Sequence, residues 1–223
     1  MIVIMNFIFS NLNTITLVVW LTFFCIVAVR TLRPALVKNF SYGRLVVIAI
    51  NLHLLYGIVA TWGQYRAWAT GGDITQALLV APLSPEVPFP VYLEWARPFF
   101  EQQYGYFALY SFQNFFLSTI ALFIVTGLFY FFLIARARYR ALNFREGDIM
   151  LIVLAMLISG WPGVIVLLPI GLASAVLLSL GARIFYGIER IPLPPAFLFA
   201  APFALIFAQQ ILTTLSLYNL LKL

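Results

Sequence analysis

Asn143-Phe144-Arg145-Glu146-Gly147-Asp148-Ile149-Met150-Leu151 sets an acid where a basic loop passes into an unbroken apolar run, Ile149 to Ser159. That run is 11 residues long before Gly160-Trp161-Pro162-Gly163 interrupts it. At about 1.5 Å of rise per residue it is too short to cross about 30 Å of hydrocarbon. Starting the helix near Phe144 lengthens it to roughly 24 Å and draws Asp148 below the loop. A charge near hydrocarbon costs about 2.5–3.5 kcal/mol even on the lenient insertion scale, so such a carboxylate is by default a functional candidate with a partner to be found.

Working outward, the rest of the chain is still more apolar. Of 223 residues, 64% are hydrophobic and 9% charged, where soluble domains run nearer a quarter charged. Apolar stretches run from Thr14 to Val29, Leu45 to Thr61, Phe107 to Ala135, Val164 to Leu180 and Ala196 to Leu217. Together with the segment that opens at Asp148 they predict an all-α fold, a polytopic membrane helix bundle with about six transmembrane helices in a single domain, residues 1–223. The first span stops at Arg30-Thr31-Leu32-Arg33-Pro34, where charge and then proline end it. Pro169-Ile170-Gly171 predicts a kink in the fifth. The N-terminus has no basic region and no small-residue cleavage site, so no removable signal peptide is expected. Cys25 is the one cysteine, which excludes an internal disulfide.

Residues 63–103 form a non-spanning segment between spans two and three. Gly71-Gly72-Asp73 is a turn signal, with Asp73 a candidate cap for a short helix, Ile74 to Val80. Four prolines (82, 85, 88 and 90) then forbid regular helix. Val91 to Gln103 reads as a helix lying along the interface, with Tyr92, Trp95 and Phe99 at helical spacing. Trp62, Tyr65 and Trp68 are further interface anchors. Loops 30–44, 136–145 and 183–190 hold 10 of the 13 Lys and Arg. The positive-inside rule places these loops in the cytoplasm and both termini outside. The net charge of +6 is thereby a matter of membrane topology, and no nucleic-acid partner is expected.

Chemistry at membrane depth needs groups whose pKa values are driven apart, as when two carboxylates share a proton. The acids are Asp73, Glu86, Glu94, Glu101, Glu146, Asp148 and Glu189. The expected topology sets the first four across the bilayer from Asp148, and Glu146, two residues away, points to another helix face. Glu189 is the acid that approaches from a different helix end, unless it pairs with Arg183 or Arg190. Asp148 also reads as an N-cap or first-turn acid favoured by the helix dipole. His53 has no Cys, Asp or Glu at ligand spacing, so no metal is expected; a hydrogen bond to Asn51 or to a facing backbone carbonyl is the alternative. Gln113-Asn114 and Gln209-Gln210 read as polar glue between helices. The chain carries no phosphate-binding loop, nucleophile elbow, zinc-protease or dinucleotide motif, and no cofactor is expected.

From about Tyr110 onward the order of features resembles the prepilin (type IV leader) peptidases, the intramembrane aspartic peptidases with a G-x-G-D motif. In that family a basic cytoplasmic loop leads into G-x-G-D-x-K-L; here the segment reads Arg145-Glu146-Gly147-Asp148-Ile149-Met150-Leu151. Further matches are Ser159-Gly160-Trp161-Pro162-Gly163, Gly181-Ala182-Arg183 and Ile191-Pro192-Leu193-Pro194-Pro195-Ala196-Phe197-Leu198. The resemblance covers about half the chain and implies that Asp148 stands for one of two catalytic aspartates. The second belongs before an arginine and a proline at the end of an earlier helix. The counterpart here is Ile26-Val27-Ala28-Val29-Arg30-Thr31-Leu32-Arg33-Pro34, which has no carboxylate.

The expectation that follows is a non-catalytic structural or assembly subunit in a larger membrane complex, with lipid and other membrane subunits as partners. The resemblance further implies the bacterial inner membrane. The alternatives are an active peptidase that pairs Asp148 with Glu189 or another acid, and a small transporter or lipid-handling protein.

Overall fold

The computed structural model describes residues 9–36, 40–139, 146–187 and 193–221, apart from the side chains of Tyr92, Glu146 and Tyr186. Among the described residues the chain is an all-α bundle in which five helices are long and apolar enough to cross a membrane. These are α1 (Leu12–Leu32), α2 (Tyr42–Ala69), α5 (Gly105–Tyr139), α7 (Gly163–Tyr186) and α8 (Leu193–Thr214). Short helices α3 (Asp73–Val80) and α4 (Arg97–Phe100) fall between α2 and α5; α6 (Glu146–Ser159) falls between α5 and α7, and α9 (Tyr218–Leu221) follows α8. The chain divides into two compact units, one of residues 13–53 and 119–222 and one of 1–12, 54–118 and 223.

The larger unit is built around α6. At 14 residues this helix is about 21 Å long, short of the hydrocarbon thickness. Ile149 and every residue from Leu151 to Ser159 are at most 7% exposed. From Leu151 to Ser159 the helix is apolar all round and shows no exposed stripe, as buried helices do. The fourth hydrophobic segment of the sequence is thus a core helix, where the other five have the length of spans.

Helices α7 and α8 hold it. Within a bilayer the drive for association is close packing and hydrogen bonding, since lipid is as apolar as leucine. Accordingly α8 presents Ala196, Ala200, Ala204 and Ala208, all buried, four residues apart along one face. Phe197 is fully buried in the same unit and reaches α7 at Gly171, where a Cβ would stand 2.8 Å from its ring. Gly171 therefore serves a close approach between helices, and α7 continues through Pro169 to Tyr186. Two glycines in this unit take φ above zero, Gly160 at +64° after α6 and Gly187 at +65° after α7, a backbone that glycine adopts without strain. Gly187 donates its N–H to the Ala182 carbonyl, a left-handed C-cap. The Trp161 indole N–H donates to the Leu221 carbonyl at 2.9 Å, fastening α9 to the α6–α7 turn.

The smaller unit holds the later half of α2 from Leu54, the start of α5, and the segment between them. Helix α2 runs to Ala69, eight residues past the expected end at Thr61; Trp62 to Arg66 lose hydropathy, which by itself does not end a helix. Asp73 is the first residue of α3 and Gly72 its N-cap; the Thr75 hydroxyl, not the Asp73 carboxylate, reaches back to the Gly72 carbonyl at 2.8 Å. The stretch expected to form one helix from Val91 to Gln103 is instead a 3₁₀ turn, Val91–Ala96, followed by α4. Pro98 has no N–H and its ring would clash with the Glu94 carbonyl in a continuous α-helix, so the helix restarts with proline in its first turn. Backbone bonds from Leu83 to the Phe100 carbonyl and from Tyr106 to the Ala81 carbonyl close this segment on itself. Where α5 begins, Phe112–Phe116 is a short π-helical stretch.

Candidate functional site

Asp148 is the third residue of α6 and is half buried. It lies in the first turn, where the unpaired N–H groups and the positive end of the helix dipole favour a carboxylate. The helix begins two residues earlier, so Asp148 is a first-turn acid and not the cap itself. Beside it, Gly147 faces the ring of Tyr42, the first residue of α2; a Cβ at 147 would stand 3.3 Å from that ring. The guanidinium of Arg30, in the last turn of α1, lies over the same ring, 5.7 Å from its centroid. Arg30 is fixed by its own neighbours, donating from Nε to the Phe40 carbonyl at 3.0 Å and from Nη1 to the Pro34 carbonyl at 2.9 Å. The Tyr42 hydroxyl meets the Thr31 hydroxyl at 3.4 Å. The ends of α1, α2 and α6 are thus gathered at one place by a cation, a phenol ring and a glycine.

Among the described side chains of the larger unit, Asp148 is the single carboxylate. Glu189 lies outside the described residues, as does the side chain of Glu146. Among the described residues, no three His, Cys, Asp or Glu gather as a metal site.

At the other end of α6, His53 takes the role of a cap. Its Nε2 donates to the Leu157 carbonyl at 2.9 Å, one of the last-turn carbonyls for which a helix has no partner of its own. The backbone-carbonyl alternative is the one realised. Trp20 packs on the imidazole at 4.4 Å between centroids and Phe123 meets it edge-on at 5.9 Å. In this way α1, α2 and α5 all meet α6 around one side chain.

The expected interface anchors separate into two kinds. Trp62 and Tyr65 are 47% and 41% exposed, and Trp95 and Phe99 are 76% and 70% exposed. Trp68 is half-buried and packs against Tyr106, Phe107 and Tyr110 at 5.0–6.1 Å, and Tyr65 also meets Phe107 edge-on at 5.9 Å. The side chain of Tyr92 lies outside the described residues. One residue of this unit escaped the sequence reading. Arg97 pairs with Glu94 at 2.9 Å and Glu101 at 3.2 Å, donates to the Pro85 and Val87 carbonyls, and lies over the Phe89 ring. The acids at i−3 and i+4 were the signal for it.

No family model, no curated protein and no solved structure matches the chain.

Proposed function

We propose that this protein is a non-catalytic membrane subunit, with a leader-peptidase-like helix order, held in a larger complex of the bacterial inner membrane. The observation that carries this reading is Arg30. It occupies the helix end at which the resemblance calls for the second aspartate, and its guanidinium covers the Tyr42 ring that packs on Gly147, next to Asp148. A proton-sharing pair needs two carboxylates in one site. A backbone-anchored guanidinium in the second position offers no proton to share and no base to activate water. What Asp148 does well in this setting is anchor the start of α6 electrostatically, with the basic loops on the cytoplasmic side.

The test is Asp148→Asn, assayed both for co-purification of partner subunits in mild detergent and for cleavage of a prepilin-type peptide. The expected outcome is no cleavage by either form, and a loss of stability or assembly of about 0.3–1 kcal/mol, the scale of a first-turn dipole interaction. Cleavage by the wild type that disappears in Asp148→Asn or in Glu189→Gln overturns the proposal and establishes the peptidase.

A further inference from the structure

Helices α1 and α2 leave a trough of about 480 Å³ between them, walled by Phe23, Ile26 and Val29 of α1 and by Leu45 and Ile48 of α2. Phe40 lines it from the connection between the two helices. Thr22 and Cys25 also border it, yet the wall is apolar throughout. The Thr22 hydroxyl donates to the Val18 carbonyl at 2.8 Å. Such a wall has nothing to offer a polar group and suits hydrocarbon.

Size and length narrow the occupant. An engineered apolar cavity of about 150 Å³ accepts one benzene ring, so this space is too large for a ring and fits a chain. From Thr22 to Val29 it follows α1 for about 10 Å. That is most of the depth of one leaflet, about 15 Å of a hydrocarbon core about 30 Å thick.

The mouth of the trough is cationic. Residues 30–44 carry Arg30, Arg33, Lys38 and Arg44 and no acid. Lys38 lies outside the described residues; the three arginines adjoin residues of the wall. Arg30 donates from Nε to the Phe40 carbonyl at 3.0 Å and from Nη1 to the Pro34 carbonyl, which leaves Nη2. The Arg33 N–H donates to the Val29 carbonyl at 2.8 Å. Its side chain is exposed and has no ion pair among the described residues. Arg44 precedes Leu45. Against these three stands Asp148, the single carboxylate among the described side chains of this unit, so the balance at the mouth is positive.

An apolar trough with cations at its mouth complements a molecule that joins a hydrocarbon chain to an anionic head. The positive-inside rule sets this loop at the cytoplasmic face, where anionic lipids give the leaflet a negative surface potential. We propose that the trough between α1 and α2 is a binding site for one anionic glycerophospholipid, with an acyl chain between the helices and the phosphate on Arg30 and Arg33.

The experiment uses the full chain, delipidated in mild detergent. It is titrated with phosphatidylglycerol, with phosphatidylcholine of the same acyl chains, and with glycerol phosphate. A ligand that binds the folded form raises the melting temperature in a dose-dependent way. The expected result is saturable stabilisation by phosphatidylglycerol, a weaker response to phosphatidylcholine and none to glycerol phosphate. Arg33→Gln, at an exposed position, weakens the phosphatidylglycerol response by about 3- to 10-fold, the scale of one basic residue at a lipid surface. Ile26→Trp, which fills the trough, abolishes it. Equal responses to the two lipids, or phosphatidylglycerol affinity unchanged in Arg33→Gln, overturn the anionic site. Stabilisation by glycerol phosphate equal to that by phosphatidylglycerol overturns the role of the trough. Arg33→Gln keeps the test decisive if Ile26→Trp fails to fold. Cys25, the one cysteine of the chain, reports on the competing occupant. A disulfide-linked dimer formed efficiently by mild oxidation of native membranes would seat a second copy on the trough and overturn the lipid.

Discussion

Helix α6 and the segment from Val91 to Phe100 are similar in length and opposite in what holds them. Helix α6 is enclosed from Leu151 to Ser159, with Asp148 in its first turn and His53 on the Leu157 carbonyl of its last. Val91–Phe100 turns Val91, Trp95 and Phe99 outward, at 90%, 76% and 70% exposure. Its shape is kept by one guanidinium with two carboxylates and two carbonyls. The difference teaches that apolar residues do different work in the two places. In α6 they are the structure; in the other segment they are a surface carried by a polar hub.

That contrast breaks first at Phe197. Phe197→Ala opens a cavity between α7 and α8, and large-to-small core changes of this kind cost about 3–5 kcal/mol. A fall in melting temperature in detergent, with loss of the α6 enclosure measured by hydrogen exchange, is the expected outcome. A cost below about 1 kcal/mol would mean that this contact does not hold α8 against α7. His53→Leu tests the end of α6. It leaves the Leu157 carbonyl without its donor, and hydrogen bonds between membrane helices average about 0.6 kcal/mol with a maximum near 1.7. Destabilisation in that range, with faster exchange confined to the last turn of α6, is expected. The smallest effect belongs to the polar hub. Glu101→Gln removes one partially exposed ion pair of Arg97, worth about 0.2–1 kcal/mol. Global stability should barely move, while limited proteolysis between Ser84 and Gln103 accelerates. A large drop in global stability would join the two regions that the comparison separates.

Much of this was legible in the sequence, and the exceptions have physical causes. The five long helices and the shortness of the run after Asp148 follow from hydropathy and length alone. The end of α2 was misjudged because hydropathy reports the solvent of a segment and not its backbone: Trp62-Gly63-Gln64-Tyr65-Arg66 leaves the apolar regime and stays helical. Pro98 was visible in the sequence and should have divided the interfacial helix. The enclosure of α6 was not legible, because a uniformly apolar helix carries no face by which to tell lipid from protein. At the site, the arginine in place of an acid at position 30 was evident, and so was the backbone partner of His53 as one alternative. The stacking of Arg30, Tyr42 and Gly147 required α1, α2 and α6 to be assembled. The unpaired hydroxyls of Thr61 and Thr126 were likewise beyond reach, since sequence does not reveal which threonines decline their own helix.

The enclosure of α6 also bears on how the protein is made. A ribosome delivers α6 after α1, α2 and α5 but before α7 and α8, which complete its enclosure. At about 21 Å the segment is too short to stand alone across the bilayer while it waits. Its enclosure is therefore completed only once α7 and α8 have emerged.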